Sequence, residues 1–232
     1  MHNMDPRFCG DDGIAKVILS TQECLIFQYK VIEFVMLLYS DSYNIYNHIV
    51  RLVVAEKDIE MEVVFVDADN KPEDLIHLNP YNSLPTLVDR ELVLYGSKVI
   101  TDYLDERYPH PPFLPIDPVS RAKTRLTLYR IEQDWYSLLE DIESGDDSRV
   151  QPALRTLQDS ITASADLFAV KPFFLSDDYS ILDATLAPLL MRFKHYGVRL
   201  PESASAVSDY ANKIFSRSAF QVSLSDAERD MI

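Results

Sequence analysis

Four of the nine residues from His110 to Pro118 are proline. Proline lacks a backbone N–H and fixes φ, so this stretch can neither continue a helix nor enter the middle of a sheet. It therefore divides the chain into parts that fold by different rules, joined by a stiff, extended connection. Strand-like runs occur before the division, and everything after it is helix-like. The reading gives a first domain over residues 36–112, a Pro-rich linker over 113–119 and an all-helical domain over 120–232.

In the first domain Met36-Leu37-Leu38-Tyr39 reads as a short buried strand. Asn44 can cap a helix whose apolar positions Ile45, Ile49, Leu52, Val53 and Ile59 recur at helical spacing. Met61 to Val66 is a β-branched second strand, so the pair is parallel with a right-handed crossover. Pro72 opens a short helix over Glu73 to Leu78. Two apolar segments then flank Asp89-Arg90, which predicts a hairpin turning there. Ser97 is placed to cap the next helix, which ends before Pro109. The order βαβ, helix, hairpin, helix is a thioredoxin-type α/β arrangement.

In the second domain an amphipathic pattern predicts one long helix over Ser120 to Glu143, with Trp135 in a core or an interface. A polar break over residues 144–148 leads to a helix from Arg149 to Val170. Ser180-Ile181-Leu182-Asp183 has the spacing of a capping box, in which Ser180 and Asp183 satisfy each other's backbone N–H groups. It opens a helix expected to run to Tyr196 and to close at Gly197 in left-handed geometry. A helix from about Ala206 to Arg217 and one short C-terminal helix complete the pattern.

The 37 acidic residues against 22 basic ones give a net charge of −15. Such a surface repels phosphate backbones, which argues against direct nucleic-acid binding. It suits a basic partner patch and also keeps a chain soluble. No apolar run is long and uninterrupted enough to span a bilayer, so neither a membrane nor a secretory route is expected, and the address is cytoplasmic. Both cysteines, Cys9 and Cys24, precede Met36, which removes thiol and Cys-based metal chemistry from both domains. Residues 1–35 lack periodicity and read as a disordered leader, a tag or an over-extended start. His48, His77 and His195 have no partners at ligand spacing and are expected at the surface or at helix ends. No metal and no cofactor is expected.

Leu84-Pro85-Thr86-Leu87 resembles the cis-proline loop of thioredoxin-type folds. With the Ser180/Asp183 box and the element order, it is similar to the glutathione-transferase superfamily over essentially Met36 to Ser223. Within it the chain resembles the stringent starvation protein A family of bacteria. That resemblance runs through residues 67–76, Leu78-Asn79-Pro80, residues 84–92, Tyr103 to Pro112, Arg130 to Tyr136, Phe174 to Asp177 and Leu186 to Leu190.

The resemblance implies a vestigial glutathione site. Ser40 or Ser42 stands where a thiolate-stabilising hydroxyl belongs, although either can equally end the strand and begin the turn. Leu84 and Pro85 form the tripeptide-binding loop. Gly96 stands where a side chain should anchor the γ-glutamyl end, and Ser97 is retained. The resemblance also implies that Tyr108-Pro109-His110-Pro111-Pro112 contacts RNA polymerase holoenzyme, through core or sigma subunit, although a helix-stopping linker explains the same prolines. The helix carrying Arg121, Arg125 and Arg130 resembles the superfamily's dimer-forming element. The expected function is that of a homodimeric, non-catalytic regulator of transcription in stress or stationary phase. The alternatives are a glutathione transferase or peroxidase using Ser40 or Ser42, and an interaction module for another partner.

Overall fold

The computed structural model describes residues 36–67 and 70–231; the leader, with Cys9 and Cys24, lies outside them. Four strands form one sheet in the order β2-β1-β3-β4. β1 (Met36–Ser40) and β2 (Met61–Phe65) are parallel, with Met36 opposite Met61. β3 (Thr86–Asp89) runs antiparallel to β1 and to β4 (Leu92–Tyr95).

The crossover helix α1 (Ile45–Glu56) begins as its sequence dictates. Asn44 Oδ1 accepts the N–H groups of Tyr46 and Asn47, while Asp41 Oδ1 accepts those of Tyr43 and Asn44. It ends earlier than its apolar spacing predicts. Asp58 takes a left-handed φ of 51° and turns the chain toward β2, so Ile59 is buried beyond the helix rather than on it. α2 (Glu73–Leu78) follows Pro72 as expected. The hairpin turns one residue later than predicted, at Arg90-Glu91, with Arg90 at φ 58°. Asp89 stays in β3 because its buried carboxylate accepts the Tyr103 hydroxyl at 2.5 Å and pairs with Arg107 at 3.1 Å. α3 (Ser97–Arg107) completes this half.

The proline-rich connection is docked at its centre. Phe113 and Leu114 are buried, and the Phe113 carbonyl accepts the N–H of Ile181. α4 (Pro118–Asp134) starts two residues before its predicted Ser120, with Asp117 as its cap. The single helix expected as far as Glu143 breaks at Trp135. There the indole donates to Ser160 Oγ at 2.8 Å, and the Tyr136 hydroxyl donates to the Thr185 carbonyl at 2.6 Å. Burying both rings against other helices outweighs continuing a regular ladder. A short 3-10 turn and α5 (Leu139–Ile142) follow.

α6 (Asp147–Ala163) stops well short of the predicted Val170. A 3-10 turn over Ala165–Ala169 replaces its end and packs Phe168 against Trp135, Phe174 and Tyr210. α7 (Ile181–Met191) is buried on all sides and opens with both halves of the predicted box: Ser180 Oγ accepts, and Asp183 Oδ2 takes the Ser180 N–H at 2.8 Å. It breaks at Arg192 into α8 (Phe193–Tyr196), which Gly197 closes at φ 77° as expected. α9 (Ser205–Phe215) is followed by two short helices instead of one, α10 (Ser218–Ser223) and α11 (Asp226–Arg229). One apolar core runs from Leu38, Leu52 and Leu104 through Phe113 to Leu157, Leu186 and Phe220.

Candidate functional site

Pro109, His110, Pro111 and Pro112 are exposed in a loop that leaves the C-terminus of α3, and the His110–Pro111 bond is cis. Tyr108 is half-buried, with its hydroxyl toward Met36 Sδ. The residue that fixes this ridge lies outside it. Lys57, at the C-terminus of α1, has a buried ammonium that donates to the carbonyls of Tyr108 and Pro111, each at 2.7 Å. The same nitrogen pairs with Asp105 at 2.7 Å and lies 4.4 Å from the centroid of the Phe113 ring. Asp105 in turn accepts the N–H groups of Phe113 and Leu114. One cation thus clamps both ends of the ridge to the body. Charge-assisted bonds of this kind are the strong ones, and a loop so held loses little conformational freedom on docking. The exposed faces are three proline rings and the imidazole of His110.

The residues of the expected glutathione site lie at the end of β1, in the loop before β3 and at the start of α3. The Leu84–Pro85 bond is cis, and the Pro85 carbonyl accepts the Gly96 N–H. The loop is set by buried Asn79, whose amide donates to the Ser83 carbonyl, Ser83 Oγ and Thr86 Oγ1, each at 3.0 Å. Ser97 does not cap α3. Gly96 holds the cap position at φ 84°, no side chain bonds the helix end, and Ser97 is the first helical residue. Ser97 instead lines a cavity of about 110 Å³ with Tyr46, Thr101, Asp102, Arg125 and Tyr136. Burial pushes the Asp102 carboxyl up, against the pull of Arg125 and Lys98.

Ser40 is fully buried. Its hydroxyl accepts from Arg51 at 2.5 Å and donates to the Asp41 carbonyl at 3.1 Å. An incoming thiol would find it enclosed and already bonded, which removes Ser40 as an available hydroxyl in this conformation. Ser42 is half-buried, and its carbonyl accepts the hydroxyl of Ser225.

The structure overturns the expectation for His48, which is buried completely. It belongs to a polar knot that joins α1 to the C-terminal helices. Glu228, also fully buried, takes Arg51 at 2.5 Å through one oxygen and Arg192 at 2.7 Å through the other. His48 Nε2 lies 3.1 Å from Ser223 Oγ, and Nδ1 lies 3.4 Å from both Glu228 and Arg192. Burial, with two guanidinium groups beside it, holds its imidazole well below the usual histidine range, so the ring is neutral. His77 and His195 are exposed as predicted. Among the described residues no cluster of His, Cys, Asp and Glu is arranged to hold a metal ion, and no helix is long and apolar enough to cross a membrane.

The family model "Glutathione S-transferase, N-terminal domain" matches residues 34–106. The glutathione transferase Omega 3C of Trametes versicolor superposes with a TM-score of 0.73 at 20% identity, covering 88% of this chain and 90% of that one, which shows a shared fold. The stringent starvation protein A homolog of Coxiella burnetii is 44% identical over 85% of this chain and 95% of its own length. That of Pasteurella multocida is 47% identical over 82% of this chain and 90% of its own. With a glutathione-transferase fold and this level of identity over nearly the whole length of such relatives, the chain belongs to the stringent starvation protein A family.

Proposed function

We propose that this protein is a cytoplasmic regulator of transcription in stress or stationary phase, which docks on RNA polymerase holoenzyme as a homodimer and has no catalytic cycle of its own. The observation that carries the reading is the clamped ridge from Tyr108 to Pro112. A buried ammonium holding two carbonyls of one surface loop is a costly arrangement unless the loop's shape matters. The net charge of −15 favours docking on a basic protein patch over direct contact with nucleic acid. Leu126 and Tyr129, 60% and 56% exposed on α4, offer the apolar area for a two-fold dimer.

Co-purification with core polymerase plus sigma tests the reading. Capture is expected from the parent chain and is lost when Pro109, His110 and Pro111 are all changed to alanine. Undiminished capture by that variant would refute the site. A second reading, a glutathione transferase or peroxidase, draws on the cavity that Ser97 lines and on Ser42. Retention on immobilised glutathione together with thiol-conjugation turnover would establish it and end the purely docking view.

A further inference from the structure

Among the described residues β2 is an edge strand, paired only with β1. Val66 donates its N–H to the Ser40 carbonyl at 2.9 Å, which sets the phase of the ladder. In a parallel pair alternate residues face the same neighbour. Glu62, Val64 and Val66 therefore bond toward β1, while Met61, Val63 and Phe65 aim their N–H and C=O groups away from the sheet. Sheets usually blunt such an edge with proline, lysine, a bulge or a covering element. Met61-Glu62-Val63-Val64-Phe65 contains no proline and no lysine, and its register to β1 is regular throughout.

A groove of about 430 Å³ runs beside this edge, between β2, the C-terminal half of α1 and helix α10. Val54, Ile59, Met61, Val63, Phe65 and Val222 give it an apolar lining. Val222 is 75% exposed and Phe65 is 49% exposed. The basic side chain that lines it, Arg51, is tied to Glu228, a carboxylate that it shares with Arg192. Asp58 lines the groove as well, and Glu60 and Glu62 stand exposed next to it. Among the described residues this edge thus combines main-chain groups without a strand partner, pockets for alternate apolar side chains and an acidic border.

We infer that the outer edge of β2 is a second docking surface, which takes an extended segment of a partner protein as an added strand, with alternate apolar side chains in the groove and lysine or arginine beside them. Main-chain pairing supplies the affinity in this mode, and the side-chain pockets supply the selectivity. The surface is separate from the Tyr108–Pro112 ridge and does not depend on what the ridge binds.

The test uses the full chain and the blocked peptide Ac-Lys-Val-Lys-Val-Lys-Val-Lys-NH2. Saturable binding is expected, with amide exchange at Val63 and Phe65 slowed at least tenfold. The same peptide with every backbone amide N-methylated, and a version with glutamate in place of lysine, should each bind at least tenfold more weakly. Val222→Lys, on an exposed position, should weaken binding tenfold while leaving the melting temperature unchanged. The chain with Pro109, His110 and Pro111 changed to alanine should bind the peptide normally. Equal binding of the N-methylated peptide, or no protection at Val63 and Phe65, overturns the proposal. Protection of those amides in the free, monomeric chain overturns it too, since the edge is then already occupied. Self-association that Val222→Lys abolishes would show that the occupant is a second copy, and would likewise overturn it.

Discussion

Changing Lys57 to methionine keeps the length and apolar stem of the side chain and deletes the ammonium that clamps the ridge. Three polar contacts vanish, those to the carbonyls of Tyr108 and Pro111 and the pair with Asp105, together with the cation's contact over the Phe113 ring. Hydrogen bonds to a charged group contribute about 1.5–3 kcal/mol each. Removing one partner of a buried pair costs about 3–5 kcal/mol, because the other charge stays behind. Two features reduce the sum: water can reach the freed carbonyls of an exposed loop, and Asp105 retains the N–H groups of Phe113 and Leu114. A loss of about 4 kcal/mol is expected, or roughly 10 °C in melting temperature for a body of this size. Adding Asp105→Asn, which removes the stranded carboxylate, should restore about 1–2 kcal/mol. Urea denaturation of the two variants measures both quantities. In polymerase capture, Lys57→Met should bind at least tenfold more weakly at a temperature where it remains folded. A variant within 1 kcal/mol of the parent, with no gain from the second substitution, would show that the clamp does not hold the ridge.

Two further perturbations probe a buried histidine and a backbone turn. The native pKa of His48 lies below its ordinary value of 6.5, so its contribution to stability is complete above that pH and is lost as the pH falls below it. The slope is at most about 1.4 kcal/mol per pH unit. His48→Gln should remove that part of the pH dependence between pH 6.5 and about 5, and equal slopes for the two proteins would refute the neutral assignment. At Gly96 a methyl group meets nothing within 4 Å, so Gly96→Ala should destabilise through its φ of 84° alone, by about 1–3 kcal/mol; a change under about 0.5 kcal/mol in urea would contradict this.

The order of elements was legible because its signals are local. Asn44, the Ser180/Asp183 pair and Gly197 act within a few residues of themselves, and all three sit where the pattern put them. The errors share another cause. Trp135 breaks its helix to reach Ser160, and the turn of the hairpin shifts because Asp89 is held by Tyr103 and Arg107. Such contacts across the fold override local periodicity. The ridge could be found from its prolines, but Lys57 could not be tied to it, since its carbonyl partners lie 51 and 54 residues away. His48 and Arg51 were hidden in the same way. The one available clue was that Arg51 interrupts a run otherwise apolar from Ile49 to Val54.

The knot around Glu228 has a consequence for how the chain is made. Arg51 meets its carboxylate across 177 positions of sequence, and Arg192 meets the same group across 36. During synthesis α1 therefore leaves the ribosome with a guanidinium whose counter-charge does not yet exist. It waits through most of the time of translation, about ten seconds or more at 5–20 residues per second. Arg51 gains its pair with Glu228 and its bond to the Ser223 carbonyl only after those residues have been made. A chain stopped short of Glu228 would leave Arg51 and Arg192 buried without the carboxylate that they share, the costly case for a buried charge.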